Sequence, residues 1–409
     1  MKVLFIAGGT PHYYNLVLNK LNQFPNVEVI VVTPKGTSST VGAGVHQTQE
    51  GVEFKLYNLP EYKTYYGKMF FENIEQILEN EQPDIIISNW PYTLAWIFFP
   101  LLYLKIRRKN IKLISKEIPF QVPYYNNAVE FYTNGGGISE NNQSVQQSTG
   151  IFSKLKYWFI TEVRKKMVNR MDAHINYFDE AIDIHASYGV PKEKVFITAN
   201  SPDTDILFEA KDRIVNLEKI LPENPHRLIH VGRLVKWKRV DMLIDVTQQL
   251  TQKYPTIELV VVGTGPEEEL LKQQVEQLGI QNNVRFVGGI YDTATLGRYF
   301  MNASIYVLAG MGGLSINEAM TFGLPVVCSV ADGTERKLVI ENKNGHYFED
   351  GNKDSLFNIL DEMLNDLPKT KQMGIESERI IVEEINIHTV LKKYMDTFEY
   401  VLGLPAKIF

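Results

Sequence analysis

The stretch "HRLIHVGRLVKWKRVDMLI", His226 to Ile244, joins an apolar run to a glycine, two cations and an amphipathic segment. It reads as a buried strand ending at Gly232, a turn that carries Arg233 and Lys238, and a helix. The same cycle has already run once, from the first residue: "KVLFIAG", "VEVIVVTP", "DIIISNW", "IKLISKEI", "AHINYF" and "VFITAN" alternate with helical patterns. From His226 it starts again and continues through "IELVVVGTG", "VRFVGGI", "SIYVLAG" and "PVVCSV". β-branched runs that alternate with helices indicate parallel sheets with crossover helices, so the chain is expected to hold two doubly wound α/β domains. Its 409 residues exceed one ordinary core, which agrees. Ser201 to Pro225 carries no strand period and three prolines, and is the expected interdomain connection.

Composition is that of a globular chain, with 44% hydrophobic and 22% charged residues. The longest apolar stretch, Tyr92 to Leu104, falls short of the roughly 20 residues a membrane span needs. The N-terminal apolar run is too short for a secretory signal, and the single cysteine, Cys328, excludes an internal disulfide or a cysteine metal cage. A cytoplasmic location is expected. A net charge of −6 argues against a nucleic-acid partner, yet between Lys105 and Arg170 twelve Lys and Arg face four Asp and Glu. In that region "TNGGGISENNQSVQQSTG", residues 133–150, reads as a flexible loop. After it, Phe152, Tyr157, Trp158 and Phe159 are interleaved with Lys154, Lys156, Arg164, Lys165 and Lys166. Such a helix fits an anionic membrane surface, or else turns its aromatics into the domain core.

Open parallel sheets bind ligands at the carboxyl ends of their strands. "AGMGGLSINEAM" stands at such an end: Gly312 and Gly313 admit close backbone approach, and the amides of Gly313, Leu314 and Ser315 would face a diphosphate. Glu318, one turn further on, would repel a phosphate, so its partner should be a neutral diol such as a ribose. Arg233 and Lys238 suit a leaving diphosphate and need no metal to do so. Each motif also has a plain reading: a tight turn, a carboxylate favouring a helix start, two solvated cations. Their occurrence within one α/β half makes coincidence the weaker account.

Together the pieces "GRLVKWKRVDMLI", "LVVVGTGPEEELL", "NNVRFVGGI", "GLSINEAMTFGLPVV", "DGTE" and the "NG" at Asn344 stand in the order found in retaining glycosyltransferases of the GT-B fold, family 4 (glycosyl transferases group 1), which the C-terminal half resembles. The resemblance is strong from His226 to Phe348. It is weaker over the first half, where "PDIIISN" and "RMDAHINYFDEAIDIHASYGVPKEKVFITANSPDTD" carry it. It implies two Rossmann-like domains facing a central cleft: an N-terminal acceptor-side domain over 1–205, a nucleotide-sugar domain over 206–385, and a tail over 386–409 that crosses back to the first domain. It further implies sugar transfer from a nucleotide diphosphate donor to a saccharide or lipid-linked saccharide acceptor, of hexosyltransferase type, without cofactor or metal. Arg233 and Lys238 would hold the diphosphate, Glu318 the ribose, Gly9, Gly232, Gly312, Gly313, Leu314 and Ser315 the phosphate and sugar, and Val287 the nucleobase edge.

Two departures stand out. Many members carry a second Glu eight positions before Glu318, where this chain has Gly310. Many also bring a His to the anomeric carbon from the strand like "IKLISKEI"; here Glu117 is nearest in pattern, and His12 in the first loop is the other acceptor-side candidate. "DTD" at Asp203 to Asp205 has the form of a metal-binding motif but falls in the expected linker, and "GTGPEE" lacks dinucleotide-fingerprint spacing. His226 and His230 read as packing residues. A sugar-nucleotide epimerase and a non-catalytic nucleotide-sugar-binding subunit are the alternatives to a transferase.

Overall fold

The structure is a computed structural model and describes residues 1–36, 47–63, 69–117, 122–136, 150–330 and 333–405. Most of the expected loop at 133–150 lies outside these residues; its first residue, Thr133, ends the helix Ala128–Thr133. The chain divides into two compact units, Met1–Ala199 with His388–Phe409, and Asn200–Ile387. The boundary therefore falls just before the expected connection. Ser201 to Pro225 is not a bare linker, since it contains the helix Thr204–Ile214, which packs within the second unit.

The first unit holds β1 (Lys2–Ile6), β2 (Glu28–Pro34), β3 (Lys55–Leu59), β4 (Glu61–Lys63), β5 (Met69–Phe71), β6 (Ile85–Asn89), β7 (Lys112–Lys116), β8 (Ala173–Asn176) and β9 (Val195–Ile197). Seven of them form one parallel sheet in the order β3-β2-β1-β6-β7-β8-β9, while β4 and β5 make an antiparallel hairpin. Away from their ends the central strands β1, β2 and β6 are mostly apolar and buried, as expected of a parallel sheet covered on both faces. From β1 the chain steps outward to β2 and β3, then returns to β6 on the other side, which puts a switch point between β1 and β6. The helix Ile387–Leu402 packs on this unit through Tyr394, whose ring lies 6.5 Å from that of Phe5.

The second unit repeats the plan with β10 (Arg227–Val231), β11 (Glu258–Val262), β12 (Val284–Phe286), β13 (Ile305–Leu308), β14 (Val326–Cys328) and β15 (Gly345–Tyr347). All are parallel, in the order β12-β11-β10-β13-β14-β15. Leu228, Leu259, Val261, Ile305, Val307 and Val327 line one face of the sheet and join the helices Val240–Leu250 and Lys353–Asn365 in a continuous core. The strand order reverses between β10 and β13, where the two connections leave in opposite directions and open a crevice.

In the first unit the helix Ile151–Asn169 turns its aromatics to solvent rather than into the core. Ile151, Phe152, Leu155, Trp158 and Phe159 are exposed, Phe152 at 84%, whereas Tyr157 turns inward and stacks on Tyr132 at 5.8 Å. Among the described residues no helix is long and apolar enough to cross a membrane.

Candidate functional site

Beside the β10/β13 switch point, the ends of β10 and β11 make close backbone contacts that only glycine allows. A Cβ on Gly263, whose φ is 143°, would lie 1.9 Å from the Gly232 carbonyl, and one on Gly265 would lie 2.2 Å from that of Leu234. The "GTG" of Gly263 to Gly265, which lacks the spacing of a dinucleotide fingerprint, is there to let the β11 loop run against residues 232–234. The Gly232 amide donates to Val262, the Leu234 amide to Thr264 and the Gly263 amide to Gly288. Val287, at the end of β12, is held in the same row by its amide bond to Val261.

Beyond Gly232 the chain makes a single turn, Lys236–Lys238, and starts the helix Val240–Leu250. Lys238 is buried, and its ammonium donates to the carbonyls of Met311 and Gly312, each at 2.7 Å. The lysine predicted from sequence thus reaches the glycine turn predicted from sequence. Arg233 is half-buried, with its guanidinium 5.9 Å from the centre of the Trp237 ring. The same turn explains Gly310: a Cβ there would stand 2.1 Å from the Trp237 carbonyl, to which the Met311 amide donates at 3.1 Å. No side chain fits at position 310 while residue 237 keeps this path.

Glu318 lies in the helix Ser315–Thr321, where its amide donates to Leu314. Burial pushes its carboxyl up to about 7. Ser315 accepts a 2.7 Å bond from the Tyr306 hydroxyl, which rises from β13 beneath it. A Cβ on Gly313 would be 3.4 Å from the Lys238 ammonium and 3.7 Å from the Ser315 hydroxyl. Lys238, Gly313 and Ser315 therefore border one small space, with Gly312 and Leu314 on the same turn. Such a space, with a cation, a bare backbone and a carboxyl one turn away, can hold an anion and a neutral hydroxyl-bearing group together. Sequence reading missed Tyr306, because a Tyr in an apolar strand looks like packing until its hydroxyl is seen to reach Ser315.

In the first unit, Gly9 follows β1, Thr10 takes its amide to Gln47 at 3.3 Å, and His12 is the exposed first residue of the helix His12–Asn22. Glu117, just after β7, is bound up inside the unit: Arg164 approaches its carboxylate at 2.7 Å and His185 at 3.3 Å. Glu117, His174 and His185 come within 4.8 Å of one another, a spacing a cation could bridge. The surrounding chemistry opposes it. Arg164 already neutralises Glu117, and His174 is engaged at both nitrogens, by Ser115 at 2.7 Å and the Val168 carbonyl at 3.1 Å. Burial drives the His174 imidazole well below its usual range and that of His185 down to about 3. Sequence reading also passed over Lys116, which is buried with its ammonium 3.7 Å from the centre of the Tyr14 ring and 5.6 and 5.7 Å from those of Tyr177 and Tyr394. Asp203 of the "DTD" sequence caps the helix Thr204–Ile214 by accepting from the Asp205 amide.

Comparison with known proteins finds relatives for this geometry. Residues 213–379 match the family described as glycosyl transferases group 1, and the match contains every donor-side position named above except Gly9. An uncharacterised glycosyltransferase of Haemophilus influenzae is 32% identical over 190 residues, which are 44% of this chain and 53% of that protein. A poly(ribitol-phosphate) α-N-acetylglucosaminyltransferase of Staphylococcus aureus is 25% identical over 41% of this chain and 34% of its own length. The chain thus spans about half or less of the length of these relatives. Among solved structures, Anabaena HepE in complex with UDP superposes over 98% of this chain and 100% of its own, with a TM-score of 0.68 at 18% identity. Over residues 213–379 the second unit is thus similar to the group 1 glycosyl transferases. The chain as a whole has the α/β GT-B fold, two Rossmann-like domains each built on a parallel sheet.

Proposed function

We propose that this chain is a glycosyltransferase that moves a sugar from a nucleoside diphosphate sugar to a hydroxyl of a saccharide or lipid-linked saccharide. The observation that carries the reading is the convergence, at the β10/β13 switch point, of the Lys238 ammonium, the glycine turn and Ser315, with Glu318 one turn away. As the anomeric C–O bond breaks, negative charge gathers on the diphosphate, where Arg233 and Lys238 stabilise it. The acceptor hydroxyl forms the new C–O bond, and its proton passes to the departing phosphate oxygen. Glu318 takes the ribose hydroxyls, and Val287 borders the nucleobase. Retention of configuration, family 4 membership and independence from metal are carried over from the resemblance. Gly9, after β1, would contribute to the donor's phosphate and sugar, and His12 and the first unit serve the acceptor. Glu117, held by Arg164, would act on that side by shaping the unit more than by touching the acceptor.

The UDP bound by HepE makes UDP-sugars the first donors to try, and the polymer named for the Staphylococcus relative supports a role in surface polysaccharide or glycoconjugate assembly. A lipid-linked acceptor would place the protein at the inner membrane face. There the exposed Phe152, Leu155 and Phe159, flanked by Lys154, Lys156 and Lys166, would meet anionic lipid. A thermal-shift screen against UDP-, GDP-, ADP- and CMP-sugars tests the donor, since a bound donor raises the melting temperature by mass action. Turnover unchanged in both Arg233→Ala and Lys238→Ala would overturn the assignment. Isomerisation of a UDP-sugar without acceptor would favour an epimerase, and donor binding with no turnover on any acceptor would favour a binding subunit. Failure to float with anionic vesicles would remove the membrane from the account.

A further inference from the structure

His230, read from sequence as a packing residue, lies wholly buried in β10 beneath the candidate donor site. Its Nδ1 is 3.0 Å from the Val307 carbonyl. A carbonyl only accepts, so Nδ1 carries the proton and Nε2 presents a lone pair. That lone pair has no hydrogen-bond partner among the described residues. Its surroundings point to one group. The place where a Cβ of Gly232 would stand is 3.4 Å from His230 Nε2, 3.7 Å from Lys238 Cε and 3.9 Å from Lys238 Cδ, so the imidazole nitrogen and the Lys238 stem border the same space, left open by the bare Gly232. Burial, together with the Lys238 charge, holds the imidazole down to about 4, so it stays neutral near neutral pH. A buried acceptor left without a donor costs stability, and its persistence beside a cation calls for a reason.

We infer that His230 is a positioning residue for Lys238: its Nε2 lone pair accepts one N–H of the Lys238 ammonium when a nucleoside diphosphate draws that ammonium from the carbonyls of Met311 and Gly312. The inference rests on the donor-site reading. An ammonium has three N–H donors, and here two are directed at the glycine turn. A diphosphate entering beside the turn competes for them. The imidazole then supplies a neutral acceptor on the protein side, which orients the ammonium with one N–H inward and the others toward phosphate without cancelling its charge. An Asp or Glu in that place would cancel it, and an apolar residue would leave the ammonium unoriented.

The test uses the full chain with His230→Asn, which keeps a donor near the Nδ1 position, and His230→Gln, which places an acceptor near that of Nε2. Calorimetry with UDP, GDP and ADP and with the matching monophosphates gives the readout. The expected result is a loss of about tenfold in diphosphate affinity for the Asn variant, monophosphate affinity unchanged, and near-complete recovery in the Gln variant. Equal behaviour of the two variants, or an equal loss on mono- and diphosphate, overturns the role of His230. A wild-type chain that binds none of the three diphosphates overturns the donor-site reading instead. A measurement on the wild type needs no variant to fold: the Nε2 nitrogen resonance of His230 should move as its lone pair becomes hydrogen-bonded on saturation with diphosphate. If it stays in place at saturation, the proposed bond does not form.

Discussion

Glu318 offers the most quantitative test of the donor site. Burial raises its carboxyl from 4.5 to about 7, so roughly one tenth of it is ionised at pH 6 and roughly nine tenths at pH 8. Ribose hydroxyls donate to a carboxylate and leave a neutral carboxylic acid with one oxygen less able to accept. If only the ionised form takes the diol, donor affinity should rise about tenfold from pH 6 to pH 8 and flatten above it. The ligand should be a nucleotide sugar, whose diphosphate has no proton to lose in that range. In Glu318→Gln the dependence should vanish. The unliganded protein shows the opposite face of the same linkage. A carboxyl whose folded pKa exceeds its unfolded value favours the folded state below about pH 4.5 relative to higher pH, and that advantage is lost as pH rises through about 7. The lost amount is about 3 kcal/mol at most, so Glu318→Gln should raise the urea midpoint at pH 8 and leave it nearly unchanged at pH 4.5. Calorimetry from pH 6 to 8 with wild type and variant decides the matter. A flat wild-type profile, or the same slope in the variant, refutes the assignment of Glu318 to the ribose.

Other consequences are equally direct. Gly310→Ala should destabilise the second unit by about 1–3 kcal/mol, because its Cβ would stand 2.1 Å from the Trp237 carbonyl; urea unfolding checks it, and an unchanged midpoint would mean that residues 237–238 move freely. Arg239 begins the helix Val240–Leu250 from a left-handed conformation, φ 52°, and is clamped by a two-pronged bond to Asp350 at 2.8 and 3.2 Å. Arg239→Ala loses the clamp and keeps the strain, whereas Arg239→Gly loses both, so the Gly variant should be the more stable of the two by about 1 kcal/mol; equal midpoints would argue against the strain. Lys116 is held down to about 7 by burial, below its unfolded value, so its contribution to stability rises with pH from about 7 to about 10.5. Lys116→Met should therefore exceed wild type in stability at pH 7, by about 2 kcal/mol after allowance for the lost contact with the Tyr14 ring, and the gain should shrink toward pH 10.

What the amino-acid order determined by itself is the repeated α/β plan and the glycine turn and cations that the proposed donor site uses. Both depend on local information. Apolar runs such as those of β1, β2, β10 and β11 must be buried on both faces, and a glycine turn followed by a helix carries its own geometry wherever it occurs. Strands whose burial comes from their neighbours escaped that reading: β3, "KLYNL", is a half-exposed edge strand, and β15 is three residues long, beginning with a glycine whose Cβ would lie 2.0 Å from the Val326 carbonyl. The compact units divide at Asn200, just before the proline-bearing stretch Ser201 to Pro225, since prolines mark breaks in secondary structure whereas a domain edge is set by which surfaces the chain packs against.

Only the tertiary structure decided what each polar group faces. Glu117 was an acceptor-side candidate by its place after a strand; Arg164, 47 residues away in sequence, holds it inside the unit. Phe152 and Trp158 could face core or solvent, and the packing left them outside. Gly310 was a missing carboxylate in the sequence and is an occupied space in the fold. His230 and Lys116 carried no motif at all. Their chemistry comes from desolvation and from partners brought by distant segments, and those energies exist only once the chain has closed around them.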